Sequence, residues 1–194
     1  MPVPPPGLVF CLLAAVLLTF VSVSAPTWDK IYFLRAGSGN ATVHFGVFGF
    51  SGTPTGIGYR FSPSSLDFND RTLNTPLFRN LARTLILHPI AAGLAGLAFL
   101  SGVCGATYHR AGTVTMVLLA AIGFVVCLLA FICDMVLFGI ARDSFIRQGI
   151  QSQYGNACWL TLAALVALLL GFSTAAYGVL ARYKKRKRDK ITAL

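Results

Sequence analysis

Apolar residues in this chain come in four long runs, at 7–25, 85–107, 112–140 and 157–180, with polar residues gathered between them. The run 85–107 contains no Asp, Glu, Lys or Arg. As a helix it spans about 35 Å, enough to cross a hydrocarbon core of about 30 Å. The run 112–140 would reach about 43 Å, so it must tilt or protrude. The fourth run has Trp159 near one end and Tyr177 near the other, an interfacial pattern. The first run follows a proline-rich lead, MPVPPP, expected to be non-helical. It reads as a retained spanning helix, with a cleaved signal peptide as the alternative. Small residues at Ser22, Ser24 and Ala25 favour cleavage; the missing basic n-region and Pro26 oppose it. The pattern predicts an all-α transmembrane fold, a four-helix membrane bundle. Its parts are lead and first helix 1–25, loop 26–84, second helix 85–107, turn 108–111, third helix 112–140, loop 141–156, fourth helix 157–180 and tail 181–194.

The second run carries small residues at 4-3-4-3 spacing: Ala91, Ala95, Ala98, Gly102 and Gly105. That spacing places them on one face, which lets helix backbones approach closely in lipid. The long loop is the one sizeable soluble segment. Residues 28–35 and 42–50 are rich in aromatic and β-branched residues, and Ala36-Gly37-Ser38-Gly39-Asn40 separates them, which predicts a hairpin. Residues 57–61 are expected as a third strand. Residues 75–84, TPLFRNLART, predict a short amphipathic helix with Thr75 as its cap and Pro76 in its first turn. The loop is therefore expected to form a small β-rich subdomain.

Composition sharpens this. The net charge is +10, with no Glu and six Asp. Seven of the sixteen basic residues, Arg182, Lys184, Lys185, Arg186, Lys187, Arg188 and Lys190, directly follow the fourth run. A juxtamembrane cluster of this kind suits anionic lipid rather than nucleic acid. By the positive-inside rule it places both termini in the cytoplasm and loops 26–84 and 141–156 outside. Asn40-Ala41-Thr42 is then an accessible glycosylation sequon. The five cysteines, Cys11, Cys104, Cys127, Cys133 and Cys158, lie in or at the start of apolar runs, with no metal-ligand spacing and no loop disulfide.

No enzyme motif and no cofactor site is legible. Inside a span, Asp134 is the one acid. It lies toward the outer end of the third run and His88 toward the outer end of the second. These runs are neighbours across the 108–111 turn, so the two side chains form a candidate proton-sensitive pair. The bland alternatives are a solvated Asp134, or one paired with Arg83 or Arg142, and a His88 that only packs beside Pro89. One intramembrane acid is thin support for a channel or transporter. The stretch Phe45-Gly46-Val47-Phe48-Gly49-Phe50, with Gly58 and Tyr59, has two readings: a sheet folded on itself, or a surface for a partner's outer loops.

The order HFGVFGF, then GIGYRF, then LHPIAAGL opening the second span, resembles the fungal PalI family over nearly the whole chain. That resemblance implies a claudin-like layout and a non-catalytic accessory role in an ambient-pH signalling complex at the plasma membrane. The implied partner is a seven-span, PalH-like pH sensor. The wider group includes eisosome-associated proteins, so a membrane-domain organiser acting as a homo-oligomer is the alternative. Relatives often carry cysteines shortly after FGVFG and before IGY. Here Ser51 and Gly52 follow the first motif and the loop has no Cys, so the outer fold is expected to rest on packing. Some relatives also have a long cytoplasmic tail.

Overall fold

A computed structural model describes residues 6–38, 41–59, 73, 75–107 and 110–192; side-chain detail stops at residue 179 apart from Lys184. The elements run α1 (Pro6–Ser22), β1 (Leu34–Ser38), β2 (Ala41–Phe45), α2 (Pro76–Thr84), α3 (Leu87–Thr107), α4 (Arg110–Arg147), β3 (Ser152–Tyr154) and α5 (Asn156–Thr192). Helices α1, α3, α4 and α5 pack as an antiparallel bundle, with α1 against α3 and α5, and α4 against α3 and α5. Segments containing α3, α4 and α5 are long and apolar enough to cross a membrane; α1 is a shorter apolar helix of 17 residues. The protein is thus a mostly helical membrane bundle capped at one end by a small sheet.

Bundle packing is close because the facing residues are small. Ala91, Ala95 and Ala98 are fully buried. The first two meet α1, α4 and α5 around Leu18, Cys127 and Leu168, and Ala98 meets Cys11, Met116 and Ala120. Gly102 is covered by Met116. Near the far end the α3 and α4 backbones touch: a Cβ on Gly105 would lie 2.6 Å from Thr113 N, and one on Gly112 would lie 2.6 Å from Gly105 Cα. Only glycine permits that approach.

The sheet is three-stranded and antiparallel, in the order β2-β1-β3. Its third strand differs from expectation. Residues 57–59 form no strand, and Arg60 and Phe61 lie outside the described residues. The partner of β1 is instead Ser152–Tyr154, from the second loop, with Arg35 opposite Gln153. The hairpin register pairs Ser38 with Ala41. Residues 39 and 40, and with them the sequon asparagine Asn40, lie outside the described residues.

The helices also run further than the apolar runs do. α4 begins at Arg110 and continues to Arg147, a length of about 57 Å. Its C-terminal turns carry Phe138, Ala141 and Phe145 into the core beneath the sheet. It ends where Gly149 adopts φ +77°. Ile150 N–H then donates to Phe145 O and Gly149 N–H to Ile146 O, a Schellman closure that turns the chain into β3. At the other end α5 continues as helix through the basic stretch to Thr192. Between them, Trp159 and Tyr177 are strongly exposed and about 27 Å apart along the helix, close to one hydrocarbon thickness.

Gly105→Val is expected to lower stability by about 1–3 kcal/mol, because a side chain there must push two backbones apart. Gly93→Ala, where no atom lies within 4 Å of the added carbon, is expected to leave the unfolding midpoint unchanged or slightly raised. Thermal unfolding of both variants in detergent checks the contrast.

Candidate functional site

The most unusual chemistry lies where the sheet meets the bundle. α2 and α3 are separated by a short turn at Leu85 and Ile86, and His88 and Pro89 occupy the first turn of α3. Proline is tolerated there because a first-turn N–H has no helical partner. The His88 Nδ1–H donates to Leu85 O at 3.0 Å, which aims the other ring nitrogen across the bundle at α4. There His88 Nε2 stands 3.0 Å from Asp134 Oδ2, with the side chains 0% and 1% exposed.

Proton counting constrains this contact. A carbonyl only accepts, so Nδ1 must carry hydrogen. Nε2 then faces a carboxyl oxygen, and the contact is attractive only if one further proton lies between them. The pair is either imidazolium with carboxylate or neutral imidazole with carboxylic acid; both are neutral overall, as an apolar surround requires. The alignment is off the ideal hydrogen-bond line, and Asp134 Oδ1 has no hydrogen-bond partner among the described residues. Neither Arg83 nor Arg142 is the partner of Asp134: Arg83 bonds Asn80, and Arg142 lies over the Tyr154 ring and beside Asp143.

Phe33 roofs the pair. Its ring meets His88 edge-on at 5.3 Å and stacks on Phe138 of α4 at 5.0 Å. The Phe33 backbone is held in turn by α5 and its approach. Gly155 N–H donates to Phe33 O, and Ala157 N–H to Tyr32 O. Asn156 clamps the same segment, accepting from Tyr32 N–H and donating to Lys30 O. The segment 30–33 thereby ties the first loop to the start of α5.

The FGVFGF stretch turns inward. Phe45 is fully buried and packs against Phe50, Tyr59 and Phe145; Val47 is also buried. Val47 N–H donates to Ser24 Oγ, and Tyr59 O–H to Gly46 O. Gly46 and Gly49 lie against Ala25 and Pro26, and Gly58 against Arg83. Phe48 and Phe50 are only partly covered. Burial, and secondarily the Asp134 charge, push the Tyr59 phenol well above its usual range. This geometry matches the folded-on-itself reading, and most of these side chains do not face outward as a partner surface would. The face that does point outward carries Arg35, His44 and Gln153, aligned across the three strands. In the basic stretch, Lys184 is exposed; the side chains of Arg182, Lys185, Arg186, Lys187, Arg188 and Lys190 lie outside what is described.

The profile of the SUR7/PalI family matches residues 4–171. The chain belongs to this family. Its claudin-like layout agrees with the bundle and cap seen here, and as a family member the protein is a membrane protein. No individual curated protein matches the chain.

Pattern reading had no means of finding Phe33, Phe138 and Phe145 as the contact between cap and bundle, because Phe33 lies in the first loop and the other two on α4, about a hundred residues further along the chain. One signal was available: a third run too long for the bilayer implied that some of α4 stands outside it.

His88→Ala leaves the Asp134 carboxyl buried without its partner and is expected to cost about 3–5 kcal/mol. The paired change His88→Leu with Asp134→Leu is expected to recover most of that loss, because no lone ionisable group remains. A double-mutant cycle by thermal unfolding measures the coupling.

Proposed function

We propose that this SUR7/PalI protein is a non-catalytic accessory subunit of a fungal plasma-membrane complex that senses ambient pH. In this reading the sheet faces outside and both termini face the cytoplasm. The observation that carries it is the seating of the sheet. Segments from both loops form one cap, and Phe33 fixes that cap over the sealed His88–Asp134 pair. A rigid cap on a bundle suits a protein that holds or orients a neighbour, here a seven-span, PalH-like sensor. Asp134 and His88 act as the latch between α3 and α4, and they exchange protons with the medium only when the cap lifts. The outward row Arg35, His44 and Gln153 is the surface offered to the partner. On the other side, the basic extension of α5 stands next to the inner leaflet and draws anionic lipid.

Deletion of the gene is expected to abolish growth at alkaline pH, with rescue by the full chain and with the seven-span sensor co-purifying. Normal alkaline growth of the deletion strain would remove the accessory role. Homo-oligomeric patches without the sensor would then favour a membrane-domain organiser.

A further inference from the structure

Tyr32 and Phe33 are adjacent in sequence but face opposite ways. Phe33 looks down onto His88, while the Tyr32 ring stacks on His44 of β2 at 4.4 Å and 13°. His44 is only half-buried, so unlike the sealed pair below it can meet protons of the medium.

Its surroundings form a connected cluster. The His44 C=O accepts from Ser51 N–H at 2.9 Å, and its N–H donates to Ser51 Oγ at 3.3 Å. The Ser51 hydroxyl in turn donates to Asp29 at 2.8 Å. Ser51 therefore straps the outer edge of β2, and Asp29 anchors the strap. Because the main chain of His44 points at Ser51, its pairing with Arg35 on β1 is the close, non-hydrogen-bonded kind. Like charges directly opposite in such a pair are destabilising.

We propose that His44 is a proton-responsive clasp on the outward face of the sheet, whose protonation loosens the β1–β2 hairpin and its Asp29–Ser51 strap. A proton on the imidazole sets a positive charge against Arg35 and pulls the Asp29 carboxylate away from Ser51. Attraction to Asp29 and to the Tyr32 ring face opposes this. Burial, the largest influence, nevertheless holds the His44 pKa below its usual value of about 6.5; Asp29 raises it and Arg35 lowers it. A folded pKa below the unfolded one means that the hairpin is fully stable above the usual histidine range and loses stability as pH falls through the lowered value. The clasp is shut in neutral medium and slack in acid. The accessory role needs no proton binding by this chain, so the inference stands apart from it.

The test uses the full-length protein in lipid nanodiscs, with amide hydrogen exchange corrected for its intrinsic pH dependence. In the wild type, protection across residues 42–52 is expected to fall severalfold between about pH 7.5 and about pH 5, the span over which histidine titrates. His44→Gln is expected to abolish that fall, and Arg35→Gln to shrink it and move what remains to higher pH, because the like charge that opposes the proton is gone. Equal protection at both pH values overturns the proposal. A fall that persists in His44→Gln also overturns it. Should His44→Gln fail to fold, an unmoved transition in Arg35→Gln overturns it as well.

Discussion

An ionisable pair inside an apolar bundle has to stay both matched and dry. His88 and Asp134 meet this condition through three separate pieces of the chain: the Leu85 carbonyl sets the tautomer, α4 brings the carboxyl, and Phe33 closes the top. If the roof is lifted, water reaches the pair; if one partner is removed, a buried polar group remains alone. The cap thus sits directly over two side chains that are otherwise sealed.

Two kinds of packing hold the rest in place. Within the bundle, alanine and glycine remove side-chain bulk so that backbones approach, and the gain is contact rather than expulsion of water, since lipid is as apolar as the helices. Beneath the cap, aromatic rings do the opposite work. Phe33, Phe45, Phe138 and Phe145 are large and fully buried, and Phe45 and Phe138 join cap to helix through ring contacts. Both loops contain no cysteine, so the cap is held by these rings, the strand ladder and the clamps around residues 30–33. His44 sits on the outward side of that assembly, and the pair sits on the inward side.

Much of this was open to pattern reading. Long apolar runs can satisfy their backbone groups in lipid only as helices, so the bundle and its antiparallel order followed from hydropathy. The 4-3-4-3 alanines and glycines marked the packed face of α3, and the Gly-rich segment between two aromatic stretches marked the β1–β2 hairpin. Thr75-Pro76 marked the start of α2. These features repeat at helix or strand period, or lie within a few residues of one another, and so leave a local signature.

The third strand, the inward turn of the FGVFGF stretch and the partner of Asp134 left no such signature. Ser152–Tyr154 is too short to announce itself, and it pairs with β1 because the α4 extension carries it there. Phe45 and Val47 are equally apolar whether they face a core or a partner; the register with β1 turned Phe45 to the core, and the bond to Ser24 holds Val47 there. His88 and Asp134 were placed at the same depth by counting residues, but depth alone does not say which way a side chain points around its helix. The helix rotations that brought Nε2 to Oδ2 follow from how α1, α3, α4 and α5 pack together, which no single segment encodes.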